Sequence, residues 1–231
     1  MVCRGDLLTQ TRIGIMLKSV RALVLLLAIS LIPTTLRAQE AGVSLDLGVK
    51  AGVNLATLSG EGESPGRRTG FIGGGHLTIS LPNSMFYFQP ELLYSMKGFS
   101  ESDGGTTATL ALDYIDIPLL VGIQFQTSGS FTPRVFLGPQ ASVKASCKLK
   151  GDQDGDSASI DCDSELIGGV FSAKSVLFDL LFGAGFDLEM GKVDIVFDAR
   201  YDLGLTDALE LGSSKMSAIQ FLAGVAFPLG N

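Results

Sequence analysis

The 231-residue chain is short of charged residues, of cysteine and of basic side chains. Only 18% of its residues are charged and 46% are hydrophobic, so it is neither an intrinsically disordered chain nor a solvated tail. Three cysteines are too few for a small scaffold that is built on disulfides. The net charge of −7 argues against a nucleic-acid-binding protein, because such a protein needs a basic face to displace the counterions of phosphate.

The chain also lacks a long apolar run outside its first forty residues. A helix that spans a bilayer needs a continuous apolar stretch of about 18 residues or more, and no later segment of the sequence offers one. Glycine, by contrast, is abundant: the chain has 29 glycines in 231 residues, well above the usual share of about 7%. The apolar residues of the main part of the chain must therefore follow a pattern other than that of a spanning helix.

The N-terminal segment has the order of residues that is typical of a secretory signal peptide. Basic residues precede an apolar run at 23–32, and a segment with small residues follows and ends at Ala38. As a helix, the apolar run would rise about 15 Å, half of a roughly 30 Å hydrocarbon core. We predict a cleavable signal peptide over 1–38, with Met16 as an alternative true start, and a mature domain over 39–231.

Export changes both the charge and the redox setting of the mature chain. Residues 39–231 carry 12 Lys and Arg against 23 Asp and Glu, a net charge of −11. Cys147 and Cys162 are the cysteines that remain, and exported proteins meet an oxidising compartment. We predict a disulfide between them, which would close the longest loop and contribute about 3 kcal/mol on the chain-entropy description.

From residue 41 onward, apolar residues recur at every second position, which is the period of a β-strand. In the first strand, Leu45, Leu47, Val49, Ala51, Val53 and Leu55 alternate with polar residues and glycine. The same alternation recurs seven more times, at 71–81, 86–97, 114–125, 134–144, 178–189, 193–205 and 219–229. We predict an all-β chain of eight antiparallel strands.

The connections between these strands alternate in length. Tight turns are predicted at 82–83, 127–129 and 191, and long polar loops around 58–67, 99–107, 147–174 and 207–214. Short turns at one end and long loops at the other are typical of an up-and-down transmembrane β-barrel in an outer membrane. A soluble β-sandwich or a lipocalin-like barrel has the same strand period, so the polarity of the two strand faces must distinguish these classes.

One face of the predicted strands is strongly charged, and burying it in a soluble core would be costly. In a membrane barrel the apolar face contacts lipid and the charged face lines the lumen, where oppositely charged groups pair. None of the strand Lys and Arg has the parity of the lipid face, and Asp113, which has it, lies near a loop end where the penalty is small. The predicted lumen ion network comprises Lys50, Glu91, Lys97, Asp116, Arg134, Asp198, Arg200 and Asp202, with Glu91 and Lys97 grouped together and Asp198, Arg200 and Asp202 forming a row.

Several segments resemble the PorT-like family of outer-membrane β-barrel proteins of Gram-negative bacteria. They are GVKAGVNL at 48–55, QPELLYSMKG at 89–98, YIDIPLL at 114–120, FLGP at 136–139 and RYDLGL at 200–205. The resemblance implies an eight-stranded, porin-like barrel in the outer membrane that contacts its lipid and meets the barrel-insertion machinery during assembly. Such barrels usually end on an aromatic residue, whereas here four residues follow Phe227.

The interior of an eight-stranded barrel is just wide enough for side chains to fill it. We therefore predict a filled, ion-paired lumen and a structural or interaction role, with an unidentified protein partner bound through the extracellular loops around Gly60, Gly104 and 147–174. The alternative is a narrow pore for small solutes. A second alternative is a lipid-modifying outer-membrane enzyme, for which His76, Ser80 and Glu91 supply the residue types of a hydrolase.

A weak candidate for a calcium site lies in the longest loop. Asp152, Asp154, Asp156 and Asp163 occupy positions 1, 3, 5 and 12 of a calcium-binding loop pattern, and oxygen ligands suit this cation. However, Ser157 stands where the pattern needs glycine, so a solvated acidic loop is the preferred interpretation. We expect no catalytic residues, cofactor, resident metal or nucleic-acid partner.

Overall fold

A computed structural model of the chain describes residues 42–60, 66–103, 106–153, 156–162, 174–208 and 214–229. In these residues the backbone forms nine β-strands. The described part of the chain contains no helix that is long and apolar enough to cross a membrane. The strands are β1 (Ser44–Gly60), β2 (Arg68–Ser80), β3 (Phe86–Asp103), β4 (Thr106–Gln124), β5 (Phe131–Gln153), β6 (Asp156–Asp161), β7 (Val176–Glu189), β8 (Asp194–Asp207) and β9 (Ser214–Leu229). The predicted signal peptide over 1–38, including Met16, lies outside the described residues.

Eight of the strands close into a ring in which every neighbour is antiparallel. The order around the ring is β1, β2, β3, β4, β5, β7, β8, β9, and β9 pairs again with β1. Neighbours in the ring are consecutive along the chain, except that β6 comes between β5 and β7 in the sequence. β6 lies outside the ring and pairs with the end of β5. The predicted eight-stranded up-and-down β-barrel is therefore confirmed.

The alternation of side chains also follows the predicted parity. Outward-facing apolar residues are exposed, such as Val49 in β1 and Leu137 in β5, whereas Lys50, next to Val49, is buried in the lumen. In water, so large an apolar outer surface would be unstable, but in a bilayer it contacts acyl chains. The polar strand face is thus the interior of the barrel.

The connections differ in length at the two ends of the ring. The turns at 81–85, 125–130 and 190–193 are short, and Asn83 and Gly191 adopt positive φ there, 53° and 77°, as tight turns require.

The structure corrects two of the predicted long loops at the other end. The predicted loop at 99–107 is the continuation of β3 and β4, with only two residues between the strands, and the predicted loop at 147–174 contains the end of β5 and all of β6.

These continuations form a four-stranded antiparallel sheet beyond the ring, which we call the tip sheet. It consists of 98–103 of β3, 106–112 of β4, 147–153 of β5 and all of β6. One face of it is apolar, because Phe99, Leu110, Leu149 and Ile160 lie on adjacent strands in register. The lower part of this apolar face packs on residues from the opposite wall of the barrel.

The predicted disulfide is present at the base of the tip sheet. Cys147 on β5 and Cys162, just after β6, lie 5.4 Å apart between their Cα atoms and are bonded through sulfur. Both are buried in a cluster of apolar residues from several strands of the ring: Leu58, Leu110, Leu112, Tyr114, Leu177, Ala208 and Met216. The disulfide therefore joins β6 to the barrel where the lumen meets the tip sheet.

Candidate functional site

The eight residues of the predicted ion network all point into the lumen, and none is more than 4% exposed. The structure separates them into two clusters at different depths. We call these the Glu91 cluster, in the half of the lumen nearer the short turns, and the Lys97 cluster, in the half nearer the tip sheet. Each cluster draws its members from four or more strands of the ring.

The Glu91 cluster is centred on two carboxylates that each accept several hydrogen bonds. Arg200 donates to both oxygens of Glu91, at 2.7 and 2.9 Å, and Lys50 donates to the same carboxylate at 2.6 Å. Asp198 accepts from Arg200 at 2.5 Å, from Arg134 at 2.7 Å and from Lys50 at 3.0 Å. Charge-assisted bonds of this kind are the strong class of hydrogen bonds.

The formal charges of the Glu91 cluster balance. Asp187 lies 3.3 Å from Arg134 and joins the cluster as its third carboxylate, against the three cations Lys50, Arg134 and Arg200. Gln89 extends the network, because its amide donates to Glu91 at 2.6 Å while its oxygen accepts from Arg134 at 3.0 Å. Buried ions are stable only when they are paired and hydrogen-bonded in this way.

The Lys97 cluster has a different balance, with one cation among three carboxylates. The Lys97 ammonium lies 2.8 Å from Asp202, 3.3 Å from Asp116 and 3.6 Å from Asp179. Gln140 donates to Asp202 at 3.0 Å and to Asp179 at 3.2 Å. Among the described residues, Lys97 is thus the cation that pairs with all three carboxylates.

The grouping of Glu91 with Lys97 in the sequence prediction is wrong. Glu91 pairs with Lys50 and Arg200, whereas Lys97 pairs with Asp202, which was predicted to belong to the row of Arg200. Glu91 and Lys97 lie six residues apart on one strand, so they contact different levels of the opposite wall. Asp179, Asp187, Gln89, Gln140 and Ser142 also contribute, and their inward parity is the sequence signal that identifies them.

The ion pairs extend across the full width of the barrel. In the ring, β3 and β8 are separated by four steps in either direction, so they form opposite walls. Glu91 and Lys97 on β3 pair with Arg200 and Asp202 on β8, respectively. The lumen is therefore crossed at two depths by direct contacts between opposite walls.

Apolar side chains also lie in the lumen, beside the ion network. Tyr87, Leu120, Phe136 and Leu181 form one buried cluster. Ile72, Leu93 and Leu222 form a second, and the cluster around the disulfide closes the end toward the tip sheet. Strand parity does not exclude this, because apolar residues also occur at inward positions.

The three residues considered for catalysis make no hydrogen bonds with one another within the described residues. His76 is buried, and neither ring nitrogen has a hydrogen-bond partner among the described residues. Ser80 accepts a hydrogen bond from Gln124 at 3.2 Å, and Glu91 is engaged by Lys50 and Arg200. A nucleophile and its base must be within hydrogen-bond reach, and that contact is not made between these residues.

The calcium candidates fall on a β-hairpin in place of a continuous loop. Asp152 lies near the end of β5 and Asp156 begins β6, while Asp154 and Asp163 lie outside the described residues. In the part of the chain that the structure describes, no group of three or more His, Cys, Asp or Glu could hold a metal ion. The solvated acidic loop stays the prediction for this segment, and the calcium candidate that includes Asp154 and Asp163 stays its untested alternative.

Asp113, the acid with the parity of the lipid face, is compensated by three neighbours. The hydroxyls of Tyr94 and Ser146 donate to it at 2.8 and 3.0 Å, and the Arg68 guanidinium lies 3.6 Å away. A register shift in the pairing of β4 with β5 occurs at this point. This polar group marks where the apolar outer band of the barrel ends on the side of the tip sheet.

Comparison with solved structures finds matches at low sequence identity. Neisserial surface protein A (NspA) is 16% identical, with a TM-score of 0.48 over 80% of this chain and 98% of that chain. Ail, the attachment invasion locus protein of Yersinia pestis, is 14% identical, with a TM-score of 0.41 over 80% and 98%. The N-terminal β-barrel domain of Pseudomonas aeruginosa OprF is 12% identical, with a TM-score of 0.39 over 80% and 97%.

No curated protein matches the chain. The family comparison is decisive, because the outer membrane protein beta-barrel domain matches residues 37–210, well over half of the sequence. The closed ring, the apolar outer face and the ion-paired lumen agree with this match. The chain therefore belongs to the outer membrane protein beta-barrel domain family and is a protein of the bacterial outer membrane.

Proposed function

We propose that this protein is a sealed barrel that anchors the tip sheet at the cell surface, where the sheet binds a protein partner. The observation that carries the proposal is the bidentate pair between Glu91 and Arg200, which joins opposite walls of the ring. A pore needs a continuous path of water, and the Glu91 cluster, the Lys97 cluster and the apolar clusters occupy that path at successive depths. The short turns then face the periplasm and the tip sheet faces outward.

The test is conductance of the full mature protein in planar bilayers or proteoliposomes. We expect no steady current above that of the lipid alone. As a control for insertion, a variant with Glu91→Ala and Arg200→Ala removes the contact between the walls and should increase leakage. A steady, size-selective current through the unaltered protein would contradict the proposal and favour the narrow-pore alternative.

We expect no enzymatic activity from this barrel. The absence of partners on the nitrogens of His76 among the described residues, and its position inside the lumen, argue against attack on a membrane lipid. His76→Ala should therefore leave the lipid A profile of the host unchanged. A changed profile would support the lipid-modifying alternative.

We also infer the finer assignment to the PorT-like family, together with recognition by the barrel-insertion machinery during assembly. The support is the set of five sequence segments, which occur in order on β1, β3, β4, β5 and β8. Phe227→Ala should insert poorly if this aromatic residue near the end of β9 is the assembly signal. Normal insertion of that variant would count against this role of Phe227.

A further inference from the structure

The outer edge of β6 is a strand edge without a partner in the described part of the chain. One side of β5 pairs with β4. The other side pairs with β7 along the first half of β5 and with β6 along its end. Within the residues that the structure describes, β5 is the one strand that pairs with β6. Among the described residues, the tip sheet thus ends in a strand that has a partner on one side alone.

The register identifies which backbone groups of β6 point away from β5. Cys162 donates its N–H to the carbonyl of Cys147 at 3.2 Å, so these two residues form a hydrogen-bonded pair of the antiparallel ladder. Such pairs alternate with pairs whose backbone groups point outward. Ala158 and Ile160 therefore bond to β5, whereas the N–H and C=O groups of Ser157, Ser159 and Asp161 point to the open edge.

An open edge is a template for another extended chain, and proteins usually protect such edges with lysine, proline or a bulge. The sequence of β6, Asp-Ser-Ala-Ser-Ile-Asp, contains neither lysine nor proline, and its pairing with β5 has no register shift. The disulfide at Cys162 holds the strand to the barrel, so little conformational freedom would be lost on binding. These features suit β-augmentation, in which a peptide adds a strand to a sheet.

The side chains of β6 and the charge of the sequence around it indicate the chemistry of the partner. Ile160 is 44% exposed and lies beside Leu149, on the apolar face of the tip sheet. Between residues 148 and 165 the sequence has six acidic residues and two basic ones, a net charge of −4, and the two basic residues, Lys148 and Lys150, lie on β5 opposite Asp161 and Ser159. Pairing of two copies of this chain would bring together two such acidic segments, and like charges on neighbouring strands are destabilising.

We propose that the edge of β6 binds an extended, basic segment of another protein by strand addition, with apolar residues of the partner beside Ile160 and basic residues beside Asp161. This rests on the proposed function, because it requires the tip sheet to be outside the membrane. The main-chain bonds supply affinity, and the alternation of apolar and basic side chains supplies specificity.

Hydrogen exchange of the intact, oxidised protein in nanodiscs tests the proposal at the level of single amides. Without a partner, the amides of Ser157, Ser159 and Asp161 should exchange quickly, whereas those of Ala158 and Ile160 should exchange slowly. A peptide of alternating lysine and valine should slow the outward amides. The same peptide with N-methyl groups on alternate residues should not, and nor should a peptide of alternating glutamate and valine.

Two variants at one position separate the backbone from the side chain. Ser159→Pro removes the central outward donor and should weaken binding of the lysine–valine peptide by about tenfold, whereas Ser159→Ala should bind as the unaltered protein does. Heat-dependent gel mobility and resistance of the cysteines to alkylation verify that both variants keep the barrel and the disulfide.

Three results would overturn the proposal: outward amides that are protected without peptide, equal protection by the N-methylated peptide, or unchanged binding by Ser159→Pro. These results are distinct from failure of the proposed function. A steady current would contradict the proposed function. Exchange of the β6 amides would test the strand edge whether or not the barrel conducts.

Discussion

Arg200 and Glu91 face each other from opposite walls of the barrel and share two hydrogen bonds, at 2.7 and 2.9 Å, with both side chains fully removed from solvent. The pair holds β3 against β8 across the lumen. Its two residues are embedded in a cluster whose formal charges cancel, so the loss of either one leaves a buried charge without compensation.

Removal of one member of this pair should destabilise the barrel strongly. Glu91→Ala leaves Lys50 and Arg200 with only Asp198 between them, and we expect the free energy of unfolding to fall by about 3–5 kcal/mol. Urea-induced unfolding from lipid vesicles measures this change. The double variant Glu91→Leu with Arg200→Leu keeps the charges balanced and should recover much of the loss, and an equal loss in both variants would contradict this account.

The Lys97 cluster should respond to pH when its cation is removed. Lys97→Met leaves Asp116, Asp179 and Asp202 close together without a counter-charge, so we expect a loss of about 3–5 kcal/mol at neutral pH. Protonation of the carboxylates removes their repulsion, so the loss should be smaller in acid. Unfolding at pH 4 and pH 7.5 compares the two states, with Lys97→Arg as the charge-preserving control, and a loss that is independent of pH would contradict the prediction.

The packing of His76 against Gly48 should make that glycine sensitive to substitution. A Cβ at Gly48 would lie 2.3 Å from His76 Cε1 and 2.7 Å from the Val225 carbonyl oxygen, so Gly48→Ala should cost about 1–3 kcal/mol. Gly75→Ala is a matched control on the neighbouring strand, because its nearest atom would be 3.7 Å away.

Combining Gly48→Ala with His76→Ala should restore part of this loss, since the imidazole is removed but the carbonyl remains. A double-mutant cycle in urea gives the coupling between the two sites. Strictly additive losses would show that the imidazole does not restrict the space at Gly48.

The depth of an outward residue should determine the cost of placing a charge on it. Leu137 is 61% exposed and lies midway along the part of β5 that belongs to the ring, so Leu137→Arg should cost about 2–4 kcal/mol. Phe125, just after the end of β4 near the short turns, should tolerate arginine at a cost of about 0–1 kcal/mol. Unfolding from vesicles measures the free-energy cost of both substitutions. Equal costs would contradict the prediction that Leu137 lies at mid-depth in the membrane and Phe125 near its surface.

The sequence alone predicts which residues line the lumen, because the period of a strand assigns each side chain to one face. Lys50 and Arg200 are inward for that reason alone. Their partners could not be predicted in the same way, since the level at which β3 meets β8 depends on the tilt and stagger of all eight strands. This is why Glu91 and Lys97 were placed together although they contact different levels of the opposite wall.

The tip sheet was missed for a different reason. β6 contains one large apolar residue, Ile160, so it shows no alternation that would distinguish it from a polar loop. Its strand conformation comes from pairing with β5 and from the disulfide at Cys162. The cysteines were the signal in the sequence, and they predicted a closed loop without predicting that the loop is a hairpin.

The two-residue connections at 104–105 and 154–155 have a consequence for how this protein can diverge. The connection at 104–105 joins two arms whose register is fixed below by pairing of β3 with β4 within the ring. The connection at 154–155 joins two arms whose register is held at its base by the disulfide between Cys147 and Cys162. Insertion of two residues into both arms would lengthen the hairpin and keep every side chain on its face, whereas insertion of one residue into both arms would move every side chain between the insertion and the connection to the other face. Related barrels should therefore differ in the height of this sheet by even steps, and foreign sequences could be displayed at either connection without altering the wall in the membrane.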